Sequence, residues 1–85
     1  MTTPIDAYAY LLDELFTVLG TVMRSPLHES ASTQVLYDAI QAVQNEFCRH
    51  DRDAYAEWLA LRREMWRMDL VPCDTYRQQM KLHVH

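Results

Sequence analysis

The chain has 85 residues, 49% of them apolar, with one Gly, three Pro and a formal net charge of −4. This composition excludes a disordered chain, which needs lower hydrophobicity or higher net charge, and the length allows a single domain. The scarcity of Gly argues against β-hairpins, whose tight turns call for Gly or Asn-Gly, so the expected class is all-α: three main helices and a short fourth.

A first helix is expected over about residues 4–24. Thr3 suits its N-cap, Pro4 its first position, and Asp6 the positive end of its dipole. With Ile5 as heptad position a, the a/d set is Ile5, Tyr8, Leu12, Leu15, Leu19 and Val22. Ala9, Phe16 and Met23 occupy e, and Leu11 and Val18 occupy g, which leaves Asp6, Asp13, Glu14, Thr17 and Thr21 to the remaining positions. A surface helix needs an apolar stripe of about three positions in seven. Four in seven predicts a helix that touches more than one neighbour, inside a bundle or across a subunit boundary. The helix is therefore expected to be the central or dimer-forming element. Its candidate self-association surface is Tyr8, Leu11, Leu12, Leu15, Phe16, Val18, Leu19 and Val22. Asp13 and Glu14 lie in the middle of the stretch and would each cost a few kcal/mol at a bilayer centre, so it is not read as a membrane span. No basic region precedes it, and no secretory signal is expected.

Ser25-Pro26 breaks the helical pattern, because a residue before proline is pushed toward extended angles. The loop is read as 25–32. A second helix follows over about 33–49, capped by Ser32 or Thr33. Its stripe is Leu36, Ile40, Val43 and Phe47, widened by Val35 and Ala39, with Gln34, Asp38, Gln41 and Asn45 on the wet face. No Gly or Pro separates Arg49 from Asp53, but Asp51 and Asp53 are good N-caps, and a break is expected there. The third helix, about 54–68, carries Ala54, Trp58, Leu61, Met65 and Met68, broadened by Tyr55, Leu59 and Trp66. Beyond Pro72, Asp74 caps a short helix over about 74–82 with Tyr76 and Met80, and Lys81–His85 are expected to fray.

Trp58, Arg62 and Trp66 follow at i, i+4 and i+8, so a guanidinium can stack against indoles, with Arg63 and Arg67 as a second ridge beside them. Trp and Arg are enriched in interface hot spots, which makes these five residues a candidate partner-facing patch. The competing reading puts both indoles in the core with the Arg62 stem lying over them. Residues 1–48 carry six acids against Arg24 alone, whereas residues 49–85 carry seven bases against six acids. That basic half supports an alternative, a dimeric nucleic-acid-binding regulator, but a pI near 5.4 makes nucleic acid the less expected partner.

Cys48, His50, Cys73, His83 and His85 match none of the usual zinc spacings, and neither metal nor cofactor is expected. Reduced thiols in a cytoplasm are the default for two cysteines, with geometry deciding whether they can pair. No nucleophile–base set with a cleft, and no phosphate-cradling loop, can be read from the chain. The functional expectation is a small cytoplasmic, non-catalytic protein-interaction module, an adaptor or inhibitor that occludes a partner's surface, self-associating as a homodimer.

Overall fold

The computed structural model describes residues 4–26 and 31–83. Four helices make up its regular structure: α1 (Pro4–Met23), α2 (Ala31–His50), α3 (Arg52–Trp66) and α4 (Asp74–His83). The expectations for Thr3 as a cap, for the middle of the loop at 27–30 and for His85 lie outside the described residues.

The all-α class stands, and several boundaries shift for local reasons. α2 starts at Ala31, two residues ahead of expectation, so Ser32 and Thr33 lie in its first turn and not before it. The break before α3 is a single residue. Asp51 takes an extended conformation (φ −156°, ψ 98°), and its side chain accepts the Ala54 N–H at 3.0 Å. α3 therefore begins at Arg52 and not Ala54, and it also stops short of Met68. Arg67 turns left-handed (φ 51°, ψ 43°), donating its N–H to Glu64 O, while Met68 N–H reaches back to Arg63 O at 3.2 Å. This is the paired bonding of a Schellman ending, made here without glycine. α4 continues through Lys81 to His83, where fraying was expected.

The central element is α2, not α1: it packs against α1, α3 and α4. Phe47 sits at the middle of the core, with ring centroids 5.7 Å from Tyr8 on α1, and 5.6 Å from Tyr55 and 6.2 Å from Trp58 on α3. Such pairs add about 0.5–1.5 kcal/mol each beyond area burial. The a, d and e residues of α1 face this core: Leu12 is fully buried, and Ile5, Tyr8, Ala9, Leu15, Phe16 and Leu19 pack against the cluster. The g residues do not. Leu11 and Val18 stay 45% and 49% exposed.

Polar groups tie the short α4 down. The Tyr55 hydroxyl donates to Gln44 Oε1 at 2.8 Å and accepts the Cys73 N–H at 2.9 Å, entirely within the core. Asn45, expected on the wet face of α2, is half-buried and accepts the Thr75 N–H at 3.2 Å. Burial pushes the Cys48 thiol up to about 11, with the neighbouring Cys73 adding to it, and raises the Tyr55 hydroxyl as well. Both groups hold their protons more tightly folded than unfolded. Their contribution to stability is whole below the unfolded-state values and is lost as pH rises through the folded ones. Urea unfolding should show stability flat near neutrality and falling by about 2–3 kcal/mol from Cys48 alone as pH climbs from about 9 to 11, with Cys48→Ala flattening that part of the decline.

Candidate interaction site

α1 ends beside the end of α3 and the first half of α2, and the three do not close against one another. Between them lies a groove of about 520 Å³, within the range of cavities that hold a small ligand or an anchoring side chain. α1 supplies Phe16, Leu19, Gly20, Met23 and Arg24; α2 supplies Tyr37; the end of α3 and the turn after it supply Trp66 and Met68. Each is there for a local reason. Phe16 is the e residue one heptad before Met23, and it holds Trp66 at a centroid distance of 5.4 Å with the rings tilted by 59°. The left-handed Arg67 turns the chain so that Met68 folds back over the end of α3. The Tyr37 hydroxyl donates to Met23 Sδ at 3.9 Å across the rim. Met23 and Met68 are about half exposed, and unbranched thioethers of this kind adapt to varied apolar partners. A methyl group added at Gly20 would meet only the Arg24 guanidinium, at 3.5 Å.

The two surfaces expected from sequence are redistributed. In the Trp/Arg set, Trp58 is a core residue, stacked on Tyr55 at 6.2 Å and touching Phe16, so it cannot face a partner. Its indole N–H finds no acceptor among the described residues. Arg62 lies over the Trp58 ring at 6.0 Å, but its guanidinium is held by Asp13 of α1, Nε to Oδ1 at 2.8 Å and Nη2 to Oδ2 at 2.6 Å. Hydrogen bonding to Asp13 raises Arg62 above its ordinary pKa. Arg63 donates through Nε and Nη2 to the Leu70 carbonyl at 3.0 and 2.5 Å, closing the turn after α3. Trp66 lines the groove and Arg67 is exposed. Of the self-association set, Leu12 is interior, Tyr8, Leu15, Phe16 and Leu19 are turned to the core, and Val22 is half-buried. Only Leu11 and Val18 of that set lie open.

Tyr37 is the groove residue that hydrophobic periodicity misses. It belongs to a second inward-leaning stripe of α2, Thr33, Tyr37, Gln41, Gln44 and Cys48, whose polar members mask its helical spacing. Among the described residues, no three His, Cys, Asp or Glu side chains cluster so as to hold a metal ion. No protein-family model, curated protein or solved structure matches the chain, so its function is argued from geometry alone.

The Arg62–Asp13 pair joins α1 to α3 next to the groove, partly screened from solvent and bidentate. A double-mutant cycle with Asp13→Asn and Arg62→Met should return a coupling of about 1–2 kcal/mol, above the usual surface pair. Gly20→Ala should raise stability in urea by up to about 1 kcal/mol, since the helix gains propensity and the methyl group has room.

Proposed function

We propose that this chain is a small, non-catalytic, cytoplasmic interaction module, an adaptor or inhibitor that acts by covering a partner protein's surface. The observation that carries this reading is the groove. It is apolar, walled by Phe16, Trp66 and Tyr37, edged by two adaptable methionines, and bordered by the Arg24 cation. Such a cavity suits a bulky apolar side chain presented by a partner, the buried anchor around which hot spots form. The second apolar surface is the outer lane of α1, where Tyr10, Leu11 and Val18 are 68%, 45% and 49% exposed. In this reading the lane is where a second copy docks, leaving the groove free.

The nucleic-acid alternative gains nothing from the side-chain placement. Arg49, Arg52, Arg62, Arg63 and Arg77 each lie against a carboxylate, of Glu46, Asp53, Asp13, Asp69 and Asp74 respectively. Among the described residues, no helix is long and apolar enough to cross a membrane.

The test introduces charge into each surface without touching the core. Met23→Glu and Met68→Glu should leave the helical circular dichroism and melting temperature nearly unchanged while lowering capture of the natural partner at least tenfold. Leu11→Glu and Val18→Glu should instead shift the solution mass, measured by light scattering over a dilution series, from dimer to monomer. Partner capture that survives both methionine variants in folded protein overturns the groove as the binding site. A wild-type chain that is monomeric at every concentration overturns the self-association.

A further inference from the structure

The two cysteines are 25 positions apart in sequence and meet in the core. Cys48 lies near the end of α2 with 2% of its surface accessible, and Cys73, at 0%, precedes α4, its carbonyl accepting the Arg77 N–H. Three independent contacts hold these segments in register. Tyr55 bridges Gln44 to the Cys73 N–H, Asn45 accepts from Thr75, and the Cys48 thiol donates to Gln79 Oε1 at 3.7 Å. Residues 44, 45 and 48 of one helix thus face residues 73, 75 and 79 around the other. Within this frame the Cys48 and Cys73 side chains are in hydrogen-bonding contact with each other. Both are free thiols, and they are the only cysteines of the chain.

We infer that Cys48 and Cys73 form a reversible oxidation site, a dithiol that closes to an intramolecular disulfide by exchange with glutathione disulfide or a similar small disulfide. The chemistry proceeds in two steps. One cysteine thiolate attacks the glutathione disulfide, whose S–S bond breaks and releases one glutathione thiolate, leaving a mixed disulfide on the protein. The second cysteine thiolate then attacks the protein sulfur of that mixed disulfide and expels the other glutathione. Two electrons pass from the cysteines to glutathione, and the two thiol protons end on the two glutathione molecules. Neighbouring sulfur atoms make the second step intramolecular, so closure outruns the capture of a second glutathione.

Burial governs when this happens. A thiol held protonated by its apolar surroundings is a poor nucleophile, so the exchange waits for α4 to lift from α2 or for the chain to fold in an oxidising medium. The bond then joins the start of α4 to the end of α2 and closes the whole of α3 into a covalent loop. The product is a chain whose fourth helix no longer detaches, and the reduced and oxidised forms differ in stability more than in shape.

The experiment uses the full chain in buffers of graded glutathione to glutathione-disulfide ratio, once with folded protein and once with protein refolding from urea. Each sample is acid-quenched, alkylated and weighed intact. The expected oxidised species is lighter than the dithiol by two hydrogens, takes up no alkylating reagent and carries no glutathione. After proteolysis it yields the Cys48 and Cys73 peptides joined, and it reverts with dithiothreitol. Its melting temperature should rise by on the order of 10 °C, a rise absent in Cys48→Ala. Chain that leaves the refolding arm still as dithiol in the most oxidising buffer overturns the proposal. So does chain that emerges with glutathione on both cysteines, or as a disulfide-linked dimer.

Discussion

One buried hydroxyl joins three helices. Tyr55 belongs to α3, gives its proton to Gln44 of α2, and takes the N–H of Cys73, which would otherwise be an orphan donor at the entrance to α4. Every partner in this arrangement is inside the core, where an unsatisfied donor or acceptor costs about 1–3 kcal/mol. The cost is what makes the contact directive: α4 cannot slide along α2 by one turn without leaving at least two of these groups unpaired. Aromatic packing supplies adhesion around Phe47, but adhesion alone is tolerant of register. The hydroxyl supplies the register, and with it the meeting of Asn45 with Thr75 and of Cys48 with Cys73.

The width of the α1 stripe has a simple decomposition. Three of its four apolar heptad positions are taken up by the chain itself, a and d against α2 and e toward Trp58 and Trp66 of α3. The fourth, g, remains outside. Asp13 is on the far side from that lane and carries the ion pair to Arg62, so α3 covers one flank of α1 and leaves the other open. An over-wide stripe in a small protein therefore counts neighbours, and here the count exceeds what the described helices provide by one face.

Much of the helical plan could be read from the chain because it depends on local chemistry. Pro4 beginning α1, Ser25-Pro26 ending it and Asp51 splitting α2 from α3 are all decided within a few residues. The leftward turn at Arg67 was hidden, because a residue other than Gly or Asn gives no cue to a left-handed ending. The centre of the bundle was misassigned for a different reason. Leu12 and Phe16 advertise burial by their type, whereas Thr33, Gln44 and Cys48 are just as buried and do not, so α2 looked like an ordinary one-sided helix. Half of the groove was visible as apolar residues on α1 and as Trp66. That these residues meet Tyr37 and Met68 is a matter of how three helix ends converge, which no single-helix periodicity encodes. The Arg62 pairing was likewise out of reach: spacing pointed to Trp58 and Trp66 on its own helix, and the partner that holds it is 49 positions away.

The joint at Asp51 carries a further consequence. With one non-helical residue between α2 and α3, there is no slack to absorb a change in length. Adding or removing a single residue there would rotate α3 by about 100° of helical phase. Trp58 and Leu59 would swing from the core toward water, and Glu57 or Ala60 would be carried inward. A drift in length that many interhelical connections absorb is closed to this one. Evolutionary or engineered variation in the chain's length must be accommodated elsewhere, and a tag or domain inserted at this corner would dismantle the bundle instead of decorating it.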